Sequence, residues 1–146
     1  MRNIFSRLTP IEDLFDCARK GDVSLMKRLL AKGFDLNLAD GQGRTALTLA
    51  CKYGKVEVIA ALLQAGADLE VHSTDGRTPL YFAIYSRSLD SVKLLVEAGA
   101  ALEMTDNSGY SPLDYARSRA SVEIARYLQE LPSLKMSEGL ERQPAE

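Results

Sequence analysis

Glycine recurs at positions 33, 66 and 99, and again at 43, 76 and 109, so one step of 33 residues runs through most of the chain. Three further columns keep that step: Leu47, Leu80 and Leu113; Ala50, Ala83 and Ala116; Leu36, Leu69 and Leu102. A fixed period of this size marks repeated units that bury their apolar faces only by stacking on their neighbours. This period constrains the fold more than any other feature of the sequence.

Each unit reads as two short helices and an arm. The first helix opens at Thr45-Ala46, Thr78-Pro79 and Ser111-Pro112. A hydroxyl there accepts a bond from an unpaired helix N–H, and proline suits a first helical position because it has no N–H to satisfy. The earliest unit opens Thr9-Pro10-Ile11-Glu12, the spacing of a capping box. A second helix follows after a tight turn, as over 56–65 or 91–98, and ends at Gly33, Gly66 or Gly99, where positive φ closes a C-cap. Asp35-Leu36-Asn37, Asp68-Leu69-Glu70 and Ala101-Leu102-Glu103 then begin an extended arm with a polar turn at its tip.

These motifs resemble the ankyrin repeat. The pattern D-x-x-G-x-T-P-L-x-x-A-x-x-x-G, followed by a second helix, is carried by 40–54, by Gly76-Arg77-Thr78-Pro79-Leu80 with Ala83, and by 106–116. An N-terminal copy without an arm keeps Leu14, Cys17-Ala18, Gly21, Leu29-Leu30 and Gly33. The resemblance covers residues 9–131. It implies an all-α repeat solenoid of paired antiparallel helices joined by β-turn or hairpin arms, in four repeats at about 9–39, 40–72, 73–105 and 106–131. Residues 1–8 are then an extension, and 132–146, with two prolines and no period, are expected to be a flexible tail. Arg87 and Ala120 stand where Gly21 and Gly54 close the turn between helices, so a positive φ at either would cost about 1 kcal/mol. Pro132 replaces a fourth terminal glycine.

The columns also distinguish the ends. Asp16, Leu49, Phe82 and Tyr115 share a position that is polar only in the first copy, so it is expected to face the preceding repeat. The columns Ala18, Cys51, Ile84, Arg117 and Leu30, Leu63, Val96, Gln129 turn polar only in the last copy and are expected to face the following one. Terminal repeats need such polar outer faces. Four repeats with capped ends and no further domain suggest a monomeric module.

Composition narrows the function. Charged residues make up 26% of the chain and the net charge is −2, which argues against a dedicated nucleic-acid binder. The longest apolar runs, 58–63 and 80–85, are too short to span a bilayer. With no signal-peptide pattern and only two cysteines, a reducing cytoplasmic setting is expected. Cys17 and Cys51 occupy small inward positions, where buried free thiols are expected, although a mutual disulfide stays open. The lone His72 precedes Ser73, Thr74 and Asp75, but consecutive side chains at a loop tip do not converge as a catalytic triad does. Asp106-Asn107-Ser108-Gly109 opens like a calcium loop, yet Arg117 holds the twelfth position, where a glutamate is required. Gly41-Gln42-Gly43 lacks the lysine of a phosphate loop. No enzyme activity, metal or cofactor is expected.

The resemblance further implies a partner protein docked on the concave side, built from arm tips and the exposed edge of the first helices. The corresponding residues are Arg19 and Lys20; Gln42, Arg44, Lys52 and Tyr53; Thr74, Asp75, Arg77, Tyr85 and Ser86; and Asn107, Ser108, Tyr110, Ser118 and Arg119, with Tyr81 at the border. Six of these are cations and Asp75 alone is acidic, a balance of +5 that predicts a basic face for an acidic protein surface or peptide. Tyrosine and arginine are favoured interface anchors. Inhibiting, masking or stabilising the partner suits a chain with nothing else to deliver. Nucleic-acid binding through the same face is the weaker alternative.

Overall fold

A computed structural model of the chain describes residues 10–119 and 121–131. The expected extension (1–8), the tail (132–146), the Thr9 cap and the Ala120 turn lie outside the described residues. Among those residues there are eight helices and no strand. They form four pairs: α1 (Pro10–Lys20) with α2 (Val23–Ala31), α3 (Ala46–Lys52) with α4 (Val56–Gln64), α5 (Pro79–Tyr85) with α6 (Leu89–Glu97), and α7 (Pro112–Ser118) with α8 (Val122–Gln129). The first helices stack in one layer and the second helices in another. One continuous core of small and branched side chains runs between them, from Leu14 and Met26 through Leu49, Ile59 and Leu62 to Leu95 and Leu128.

Local chemistry sets the helix ends. Thr45 Oγ1 accepts from the Thr48 N–H, and Ser111 forms a reciprocal capping box with Asp114. Thr78 caps without a side-chain bond and relies on Pro79. Helix α6 begins at Leu89, two residues before the expected Ser91, because Ser88 accepts from the Ser91 N–H and so serves as N-cap. Gly33, Gly66 and Gly99 follow the second helices at φ of +80°, +88° and +99°. Arg87 takes φ of +60°, the one non-glycine residue with positive φ among those described.

The arms are tied to one another. The Thr74 N–H donates to the Gln42 carbonyl at 3.0 Å and the Asn107 N–H to that of Asp75 at 3.0 Å. Asn37 Oδ1 accepts from Asp68 N–H at 2.8 Å, and Glu70 Oε1 accepts from Ala101 N–H at 3.0 Å. At the two ends, Asp16 pairs with Lys20 and Arg19, while Arg117 and Gln129 are exposed. Val122 is 65% exposed, so the last repeat's outer face is not wholly polar. Cys17 and Cys51 are free thiols buried in the core, not a disulfide. Burial pushes the Cys17 thiol up to about 12 and raises that of Cys51 as well.

Candidate partner-binding face

The first helices and the arm turns share one side of the stack, and a pocket of about 470 Å³ opens there across α3, α5 and α7. Its floor is aromatic. The ring of Tyr115 on α7 lies 5.5 Å from that of Tyr81 on α5, tilted by 55°, and Phe82 packs beside them on the same wall. At the opening, Tyr85 and Tyr110 are 46% and 44% exposed. Ser118 completes that side, its hydroxyl donating to the Tyr115 carbonyl at 2.8 Å.

Three cations reach the pocket from three repeats. The Arg119 guanidinium lies 4.9 Å over the Tyr85 ring, and the Arg119 carbonyl accepts from Arg87 at 3.3 Å. Lys52 stands 5.6 Å from the centre of Tyr53, itself 48% exposed. Arg77 lies 4.8 Å over Tyr115 while its Nε donates to Asp106 at 3.1 Å. The cation–ring contacts hold each charge against a polarisable face without neutralising it.

This arrangement revises several sequence-based assignments. Tyr81 lines the pocket floor but is only 1% exposed, and its hydroxyl shares its one proton between the Met104 and Tyr110 carbonyls, 2.7 and 2.5 Å away. It fastens the fourth arm to α5 and burial raises its pKa. Arg44 and Arg77 are not free cations at the arm bases. Arg44 closes its own arm onto Asp40, with Nε and Nη2 both 2.9 Å from the carboxylate, and Arg77 reaches the next arm at Asp106. Asp16 likewise holds Lys20 at 2.9 Å and Arg19 at 3.7 Å. The expected balance of six cations to one acid overlooked Asp16, Asp40 and Asp106, so the face is much less basic than +5.

Asp40 and Asp106 serve one purpose in two arms. Each accepts two backbone N–H bonds within its turn: Gln42 and Arg44 at Asp40, both 2.9 Å, and Ser108 and Tyr110 at Asp106, 2.9 and 3.0 Å. Burial alone would raise their pKa values, but these N–H groups and the arginines outweigh it and hold both carboxyls below the ordinary value. Ser73 stands at the same position of the third arm with a buried Oγ that has no partner among the described residues. Lacking a carboxylate at the head of its own arm, Arg77 is free to pair across 29 residues with Asp106. The column Asp40, Ser73, Asp106 shows in the sequence which arm lacks a carboxylate, but not where its arginine turns instead.

The remaining expected contacts divide by what holds them. Gln42, Thr74, Asp75 and Ser108 are exposed at the arm tips. Asn107 is exposed, but its amide donates to the Thr74 carbonyl at 2.9 Å and braces neighbouring arms. Ser86 donates to the Ala83 carbonyl at 2.8 Å and ends α5. Arg19 and Lys20 belong to the first repeat and do not line the pocket. His72 is exposed, with Nδ1 3.3 Å from the Ser73 carbonyl. Phe82 and Tyr115, absent from the expected set, form the pocket floor, which their core spacing concealed.

Stacked helix pairs, glycine-ended second helices and two carboxylate-closed arms define a repeat scaffold. Residues 14–106 match a family model of ankyrin repeats in three copies, and the chain belongs to the ankyrin-repeat family. Helices α7 and α8 lie beyond the matched span yet repeat the same pairing and caps. Ankyrin repeats are generally protein–protein interaction modules and typically non-catalytic. No curated protein matched the chain. Among the described residues, no helix is long and apolar enough to cross a membrane.

Proposed function

We propose that this protein is a non-catalytic interaction module, monomeric in a reducing cytoplasm, that binds an acidic surface or peptide of a partner protein on its concave face and thereby inhibits, masks or stabilises it. The observation that carries this reading is the group of exposed Tyr53, Tyr85 and Tyr110 with Lys52 and Arg119, whose charges meet tyrosine rings and no carboxylate among the described residues. Ring-stacked cations on a braced surface lose little freedom on binding, and their charge favours an acidic partner. The three pairings with Asp16, Asp40 and Asp106 weaken the nucleic-acid alternative, since fewer cations are left for phosphates.

The test is affinity capture with the wild type and with Lys52→Glu, Tyr85→Ala, Arg119→Glu combined, both verified as folded by circular dichroism. A partner retained by the wild type and lost by the variant supports the reading. Equal retention by both places the interface elsewhere and refutes it.

A further inference from the structure

We propose that the pocket between α3, α5 and α7 receives a phosphotyrosine side chain from a peptide segment of the partner, an inference that rests on the concave-face reading above and narrows it. Size comes first. The pocket, at about 470 Å³, lies in the range of sites that enclose a small organic group, and a lone carboxylate would leave most of it filled with water. Its walls come next. Tyr85 and Tyr110 at the opening, with Phe82 and Tyr115 behind, offer faces and edges for one more ring to pack against in offset or edge-on geometry. The short stem of a phosphoserine would leave those walls uncovered.

Charge then selects the head group. Among the described residues no carboxylate lines the pocket, and of its three cations only Arg77 is compensated, by Asp106. Lys52 and Arg119 are left, a pair that a phosphate monoester of about −1.5 to −2 charge balances and a single carboxylate does not. Arg119 suits such a head group, because its guanidinium, 4.9 Å over the Tyr85 ring, meets no carboxylate among the described residues and can bind an oxyanion through two N–H groups. The site is also fixed in advance. The Tyr81 hydroxyl holds the backbone of Tyr110, Ser118 holds that of Tyr115, and Arg87 holds the Arg119 carbonyl.

The full chain, labelled with nitrogen-15, is titrated in separate arms with phenyl phosphate, inorganic phosphate, phenol, O-phosphoserine, adenosine monophosphate, a capped Ala-phosphotyrosine-Ala peptide and hexaglutamate. The expected result is that phenyl phosphate moves the amide signals of Tyr85, Ser118 and Arg119 and binds at least about tenfold tighter than inorganic phosphate, phenol or O-phosphoserine. The phosphotyrosine peptide binds tighter again. Arg119→Gln weakens both by about tenfold with an unchanged thermal midpoint, and Tyr85→Leu, a second exposed position, does likewise. Phenyl phosphate binding no better than inorganic phosphate overturns the proposal, as does a preference for O-phosphoserine or for the nucleotide. Hexaglutamate moving the concave signals without a phenyl phosphate preference overturns the phosphotyrosine inference and leaves the acidic-partner reading standing. If no arm moves those signals, both fail.

Discussion

Substituting alanine at three equivalent arm positions should give three different costs. Asp106 is 1% exposed at its side chain and accepts from Ser108 N–H, Tyr110 N–H and Arg77 Nε. A hydrogen bond to a charged group contributes about 1.5–3 kcal/mol when its loss leaves a partner unpaired. Ser108 and Tyr110 are exposed, so water recovers part of the loss there, whereas Arg77 loses its only carboxylate among the described residues. Asp106→Ala is therefore expected to cost about 3 kcal/mol, or roughly 10 °C in thermal midpoint. Asp40 makes the same two turn bonds and holds Arg44 within one arm, but its side chain is 22% exposed, so Asp40→Ala is expected to cost about 2 kcal/mol. Ser73 Oγ has no partner among the described residues to lose, and Ser73→Ala should change stability by less than about 0.5 kcal/mol in either direction. Urea unfolding measures all three, with an unchanged slope showing that the same surface is exposed each time. Equal costs at the three positions, or a cost above about 1 kcal/mol at Ser73, would refute the assignment of the arm closure to the carboxylates.

The backbone and acid titration give two more expectations. Arg87→Gly should stabilise the protein by about 1 kcal/mol by removing a left-handed side-chain residue, and Gly54→Ala, at φ of +66° with only ordinary contacts around a new Cβ, should cost a similar amount; thermal melts compare the two. Asp16, Asp40 and Asp106 all have pKa values lowered from 3.8 in the fold, so their stabilisation is complete above the unfolded value and lost as pH falls through the folded ones. Thermal midpoints should hold down to about pH 5 and then fall, and Asp40→Asn with Asp106→Asn should flatten that fall.

The repeat, the caps and the terminal glycines were legible because each is written in one local stretch. A threonine or serine before the first helix and a glycine after the second carry their own geometry, as Thr45, Ser111 and Gly66 show. Arg87 was legible as strain for the same reason. The Tyr81 latch and the Arg77–Asp106 pair were not, since both join residues more than twenty positions apart. Their partners depend on how far one repeat is displaced from the next, a distance set by helix packing and not by any local motif. Tyr81 shares its neighbourhood in sequence with the exposed Tyr85, and only the stacking of the fourth arm separates a buried hydroxyl from a wet one.

The same stacking explains why a count of cations overstates the basic character of the concave face. Two of the three arm turns use a carboxylate as acceptor for two nearby N–H groups, as Asp40 and Asp106 do. A carboxylate so enclosed is stable only with a charge partner nearby, so an arginine at the arm base is drawn into the fold. Arg44 and Arg77 are thus held by arm carboxylates, Arg44 by that of its own arm and Arg77 by that of the next. Lys52 and Arg119 answer no such structural need. They lie at the ends of first helices against tyrosine rings and meet no carboxylate among the described residues. On the proposed reading, recognition depends on a few anchored groups around one pocket, not on a broad positive potential. Removing Arg119 should therefore weaken binding far more than removing Arg19 or Lys20, although all three contribute equally to net charge.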